Sequence, residues 1–563
     1  MSSDSTRHGW SRQIIRNRRT FDFAVKRAEI AHRNEAFDDA AGWCSVAASF
    51  AWHSHPGIFT DETIRRILRD IGRKIDDCGR SQVSSYCRST QIDDLSVLHV
   101  MTSANPVGGH TRAVSRWIRN SLEEFPKQKH SLTITHQGSI EVPRWLLDAV
   151  RESGGECWVI PSGLSLVQIA RKLRTYSAFG FDLVVSHVNP DDPVSTIAFS
   201  AKDFEMPVIL FNHADHVFSL ATSEPNVILD FRPSGKRITE TLRRGKGRSM
   251  LLPIPLVDPM KEFGAISFQK RKALREEARI RLGLGKDQPI ALTIGVGYRY
   301  KPALGRDFLR TSSEILSSVT TAHVFAIGLP KMKESELFEY AHNDRFHACG
   351  AVDDSELRDH LLAADVFLEI FPFTSLTAML EGGLYGLPMQ RMRNEEAPIL
   401  SGDDISLESV VPTVLCEEDY AEGAVRLLLS SAETRHEMGQ RIRDRILADH
   451  CGASWGRRWL EPAVNAATCR NNVAIDATLG AYEEEAASDE SIQLAEWDRN
   501  LFACSLIDSI GLPYQLSPKV KGLILLYSLI HFGSFLQSYL KNYKELPIKA
   551  LTVAITKMRP SEI

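Results

Sequence analysis

An α/β protein with two doubly wound domains in tandem and helical additions at both ends is the fold class the sequence predicts. Three observations predict it. Short apolar runs alternate with helix-period segments from Ser96 to about residue 212, a pattern that argues for a parallel sheet covered on both faces. The same alternation restarts near Ile290, after the stretch Leu252-Pro253-Ile254-Pro255-Leu256 and a charged run at 261–281. The flanks, residues 20–90 and everything beyond about Ser454, show helical spacing without strand runs.

In order along the chain, 21–31, 36–52 and 61–71 carry apolar residues at helical spacing, with a break at His55-Pro56-Gly57. The Ala-rich pair resembles one tetratricopeptide-like hairpin. A single hairpin cannot stack into a solenoid, so it reads as a cap on the next domain. Strands of the first series are expected at 97–102, 131–135, 156–160, 183–187 and 208–212. Crossover helices are expected at 111–124, 142–153, 166–179 and 195–204. The second series places strands at 290–294, 323–326, 346–348, 366–369 and 389–390, with helices at 306–317, 335–341, 354–363 and 376–385. The domain reading is 1–92 as a helical N-terminal cap, 93–256 and 257–455 as two Rossmann-like domains, and 456–563 as a helical extension.

Composition excludes several function classes. With 563 residues, 43% hydrophobic and 25% charged, the chain is too apolar for a disordered protein and too long for one core. A net charge of -4 gives no global reason to expect nucleic-acid binding. The 9 cysteines form no C-x-x-C pair, so they read as reduced core residues of a cytoplasmic protein. No apolar run follows the N-terminal arginines, so a secretory leader is not expected. The stretch 522–540 holds no Asp, Glu, Lys or Arg, but His531, Gln537, serines and glycines make it a poor spanning helix. Its reading is a buried or partner-facing helix. The lysines that flank it keep peripheral contact with the inner face of a membrane as a second reading.

Four stretches carry chemistry. Gly108-Gly109-His110 sits at a strand-to-helix turn, where backbone N–H groups and the helix N-terminus can approach a ligand. Asn212-His213-Ala214-Asp215-His216 follows a strand directly. Its histidines can exchange protons near neutral pH, and a carboxylate can orient them. Of these, His213 is the first candidate for a general base or acceptor-orienting group, with Asp215 and His216 behind it. In the second series, Gly295-Val296-Gly297 opens space for phosphates, and Arg299 and Lys301 supply positive charge for a departing diphosphate. Finally, a strand ending at Glu369 leads through Pro372-Phe373-Thr374-Ser375 into a helix holding Thr377 and Glu381. Hydroxyls and N–H groups at that helix start suit phosphate, and Glu381 can accept both hydroxyls of a ribose. No D-x-D motif is found, and no metal site is expected, since cationic side chains can take the diphosphate role.

The order Gly-Gly loop, Gly…Arg-x-Lys, then strand–Pro-x-x-Ser-x-Thr–helix–Glu381-x4-Gly386-Leu387-Pro388 resembles the GT-B glycosyltransferases over about residues 96–450. Retaining members (glycosyl transferases group 1) commonly carry two glutamates with seven residues between them, and the matching position ahead of Glu381 is Phe373. The Phe371-Pro372-Phe373 loop is instead similar to the donor loop of the O-GlcNAc transferase and bacterial protein N-glycosyltransferase group. The resemblance implies transfer of a hexose or N-acetylhexosamine from a nucleotide sugar, UDP-linked, to a glycan, lipid or protein acceptor, with no further cofactor and the stereochemical outcome open. It assigns donor binding to Gly295, Arg299, Lys301, Thr374, Ser375, Thr377 and Glu381. The acceptor side of the cleft falls to Gly108, Gly109 and His110. The alternatives are a GT-B-like nucleotide-sugar epimerase and a non-catalytic scaffold of the same fold.

Overall fold

The structure, a computed structural model, describes residues 3–75, 91–106, 108–178, 180–200, 204–243, 247–331, 344–395, 398–468, 494–495, 514 and 516–528. The helix expected at 335–341, the Ala/Glu-rich stretch after Asn471 and most of 522–540 lie outside these residues.

Two parallel sheets form the frame. The first contains β1 (Ser96–Met101), β2 (Lys129–Ile134), β3 (Cys157–Val159), β4 (Leu183–His187), β5 (Val208–Phe211), β6 (Val227–Asp230) and β7 (Arg248–Leu251), in the order β3-β2-β1-β4-β5-β6-β7. The second contains β8 (Ile290–Ile294), β9 (His323–Ile327), β10 (Phe346–Gly350), β11 (Val366–Leu368), β12 (Met389–Met392) and β13 (Thr413–Val414), in the order β10-β9-β8-β11-β12-β13. Both are doubly wound. Each therefore has a switch point, between β1 and β4 and between β8 and β11, where chain direction across the sheet reverses and a crevice opens at the strands' carboxyl ends.

The helical flanks close around the first sheet. Phe21, Trp43 and Ile67 from the N-terminal helices share one apolar core with Leu98, Leu166 and Ile197. The helix beginning at Pro518 joins the same core through Val520, Leu523 and Ile524, and Tyr527 stacks on Phe23 at 4.1 Å. The beginning of the 522–540 stretch is thus a buried helix. Among the described residues, no helix is long and apolar enough to cross a membrane.

After helix Ala432–His450 the chain crosses back. Trp455 packs edge-on against Trp117 at 5.4 Å and donates to the Pro253 carbonyl, and Ala463 and Val464 lie under β5 and β6. Residues 456–468 therefore complete the first domain's core. A further cluster joins every part: Phe59, Ile238, Phe373, Ile399, Leu400 and Leu494 pack together across the interdomain flank.

Candidate active site

The sequence-marked stretches fall at the two switch points. On the first, β1 leads through residues 102–108 into helix Gly109–Glu124. Gly108 caps that helix with φ of 113°, a conformation L side chains rarely adopt, so the sharp entry depends on glycine. The half-buried His110 is brought over the end of β4, where its Nε2 donates to the His187 carbonyl at 2.5 Å. A carbonyl can only accept, so the proton sits on Nε2 and the lone pair on Nδ1. Burial lowers the His110 pKa to about 4, leaving the ring neutral.

His213, just past β5, packs at a tilt against His110 with ring centroids 4.0 Å apart, and its Nε2 lies 2.9 Å from His187 Nδ1. Burial, with His110 beside it, holds its pKa well below the ordinary value. The loop that carries it is fixed from beneath. Buried Arg243 donates to the carbonyls of Asp215 at 3.0 Å and Val217 at 2.6 Å, and Arg65 from the N-terminal helices donates to the Arg243 carbonyl at 2.7 Å.

Asp215 plays a different part from the one its neighbours suggest. It is fully buried, and both its oxygens accept from Arg232 at 2.7 Å. Burial alone would raise its pKa, but the Arg232 charge and hydrogen bonds overcome that and hold it at about 2. Arg232 also donates to the Ser401 carbonyl of the second domain at 3.0 Å, and nearby Ser234 binds Asp403 through both N–H and hydroxyl at 2.7 Å. Asp215 is thus tied into an interdomain anchor, each of its oxygens engaged by Arg232. His216 sits beside it, with Nδ1 buried 3.6 Å from Asp215 Oδ1 and its ring 5.1 Å from the Phe373 ring of the second domain.

On the second switch point, Gly295 follows β8 so closely against the β11 loop that an added Cβ would lie 2.6 Å from Ile370 and 3.5 Å from Ser375. Arg299 lies across this loop, its guanidinium 4.3 Å from the centre of the Phe373 ring and hydrogen-bonded to the Thr374 carbonyl. Lys301 is exposed. Thr374 is buried and its hydroxyl donates to Glu369 at 2.5 Å, so the side chain braces the loop while Ser375 and Thr377 remain half-exposed. Thr377 and Glu381 lie one turn apart on the same helix face.

The two switch points face each other. An added Cβ on Gly109 would stand 3.8 Å from the Thr377 hydroxyl, and Arg116, two turns along the same helix, pairs with Glu381 at 2.5 Å. The structure thus brings Gly109, His110, His213 and His216 opposite Gly295, Arg299, Ser375, Thr377 and Glu381. Sequence reasoning missed Arg116 and Arg232, because each acts through a partner more than 10 residues away in the chain.

No family model matches the chain, and no curated protein matches it. Solved structures of similar arrangement include a mutant O-GlcNAc transferase of Thermobaculum terrenum, at 13% identity and TM-score 0.46 over 79% of this chain and 82% of that one. An Anabaena protein, HepE, in complex with UDP aligns at 11% identity and TM-score 0.48 over 66% of this chain and 100% of its own. The sucrose-phosphate synthase of Thermosynechococcus elongatus aligns at 14% identity and TM-score 0.45 over 65% and 97%. At these identities and TM-scores the functional reading rests on this chain's own residues.

Proposed function

We propose that the protein is a glycosyltransferase that moves a hexose or N-acetylhexosamine from a UDP-linked donor to a hydroxyl or amide acceptor. The observation that carries this is the confrontation of the two switch points. One side presents neutral imidazoles, and the other presents a glycine-opened, cationic pocket at a helix start. Lys301 and the Arg299 guanidinium take the diphosphate. The N–H groups and hydroxyls of Ser375 and Thr377 assist them at the positive end of their helix. Glu381 accepts from the ribose hydroxyls. As the bond from the anomeric carbon to the diphosphate breaks, these groups stabilise the charge that develops on the leaving UDP. His213, beside His110, receives the acceptor's proton.

The carboxylates near the cleft favour transfer over epimerisation. Asp215 is held by Arg232, Glu369 by Thr374, Asp403 by Ser234, and Glu381 by Arg116. Each is engaged, whereas acid–base elimination chemistry asks for uncommitted acidic groups.

Thermal stabilisation across a panel of nucleotides and nucleotide sugars tests the reading. UDP should raise the midpoint and Glu381→Ala should remove most of that rise. Absence of any nucleotide response in the wild type would exclude the proposal. Mass spectrometry of products formed with and without acceptor extract separates transfer from epimerisation.

A further inference from the structure

Four histidines of the first domain stand in a row across its sheet: His130 on β2, His99 on β1, His187 on β4 and His213 just beyond β5. Neighbouring rings are 5.2 Å apart at each step, close to the spacing of adjacent strands. Their nitrogens are linked in one sense throughout. His213 Nε2 meets His187 Nδ1 at 2.9 Å, His187 Nε2 meets His99 Nδ1 at 3.0 Å, and His99 Nε2 meets His130 Nδ1 at 3.0 Å. Trp117 closes the row from one side, edge-on to both His99 and His187. Among the described residues no cluster of three or more His, Cys, Asp or Glu is arranged to hold a metal ion, so the row needs another explanation.

A neutral imidazole has one N–H and one lone pair. In a head-to-tail row every link is made only if all four rings carry the proton on the same nitrogen. A ring of the other tautomer would set N–H against N–H at one link and lone pair against lone pair at the next. In a buried row each such mismatch leaves polar atoms unsatisfied. The inner end, His130 Nε2, is buried and has no hydrogen-bond partner. The outer end, His213 Nδ1, belongs to the half-buried ring beside His110 at the cleft.

Only one of the two orders suits a base at the outer end. With every proton on Nε2, His213 Nδ1 carries a lone pair. When that atom gains a proton, the resulting imidazolium still donates through Nε2 to the waiting His187 Nδ1. We propose that His187, backed by His99 and His130, is a positioning relay that holds His213 in its Nε2–H form with the Nδ1 lone pair at the cleft. This rests on the glycosyl-transfer reading above. In the step it serves, the acceptor's proton passes to His213 Nδ1 and the acceptor heteroatom bonds to the anomeric carbon. The bond from that carbon to the diphosphate oxygen breaks, and its electron pair leaves with UDP. The row takes the orienting place that a carboxylate fills beside many catalytic histidines.

The test is nitrogen NMR of the full chain labelled with 15N-histidine. Individual signals are assigned by single His→Asn variants, and donor kinetics are measured in parallel. The wild type should show Nε2–H tautomers at His99, His187 and His213. An Nδ1–H form at any of the three overturns the proposal, and this measurement needs no variant to be active. His99→Leu should leave the UDP dissociation constant and donor KM unchanged while kcat falls about tenfold, the lower end of what a positioned base contributes. His99→Asn, whose side-chain oxygen can accept from His187 Nε2, should recover most of the loss. Unaltered kcat in His99→Leu would equally overturn the relay. Failure of the wild type to bind UDP would instead remove the glycosyl-transfer reading, while the tautomers still decide the row.

Discussion

Arg116 Nη2 of the first domain lies 2.5 Å from Glu381 Oε1 of the second, so the carboxylate assigned to the ribose is already engaged by a cation from across the cleft. The pair is partly exposed, and such pairs contribute about 1 kcal/mol or less. In the proposed binding mode a nucleotide's ribose replaces Arg116 at that carboxylate. Arg116→Ala is therefore expected to tighten UDP binding about three- to fivefold by calorimetry, since RT ln 5 is about 1 kcal/mol. Weaker binding in that variant would show that Arg116 itself contacts the nucleotide.

Asp215 and Arg232 give a different expectation. Asp215→Asn leaves the Arg232 guanidinium buried without its counter-charge, a change that costs about 3–5 kcal/mol. Urea unfolding should show that loss. The pH dependence of any remaining activity should keep its wild-type shape, as expected of a carboxylate committed to Arg232. A displaced pH profile with unchanged stability would restore Asp215 to the chemistry.

The cations of the donor side divide by burial. Lys301 is exposed, so Lys301→Ala should leave the unfolding midpoint alone and weaken UDP binding by about tenfold, as expected for one charge-assisted contact. Arg299→Lys loses the planar stacking on Phe373 that an ammonium cannot reproduce, and it should lower both stability and affinity. Equal effects of the two variants on stability would contradict this division.

Acid should unfold the first domain early. Burial holds His99, His187 and His213 well below the ordinary histidine value, His110 at about 4 and His130 at about 3. The unfolded chain titrates near 6.5 and binds more protons than the native one below that pH. The stability of the neutral forms is fully present above about 6.5 and is lost as pH falls toward the folded values. Each ring contributes up to about 1.4 kcal/mol per pH unit in that window. The urea midpoint should therefore drop steeply between pH 7 and pH 5. A flat profile across that range would show that the rings are not buried neutral.

Much of the frame was legible in the sequence because parallel strands are buried on both faces and read as plain apolar runs. β4 (Leu183–His187) and β8 (Ile290–Ile294) coincide with their expected bounds. β6, β7 and β13 went unread. Val227–Asp230 is four residues long, Arg248–Leu251 starts on a cation, and Thr413–Val414 is two residues long, too short for any period to register. The site divides in the same way. Gly295, Ser375 and Thr377 lie where strand ends predict them, because switch-point geometry is local. Thr374 turns its hydroxyl inward to Glu369, and Asp215 turns to Arg232, because both choices depend on buried partners that spacing does not reveal. The histidine row did leave a trace. His99 and His130 are titratable residues buried within sheet strands, a cost that mutual hydrogen bonding offsets.

The cluster of Phe59, Ile238, Phe373, Ile399, Leu400 and Leu494 has a mechanical meaning. It fastens the two domains along one flank with material from both ends of the chain, and Phe373 in the donor loop is one of its members. The domains also meet through ion pairs, Arg116 with Glu381 and Arg112 with Asp354, that water can readily replace. Salt should loosen those pairs and leave the greasy seam intact.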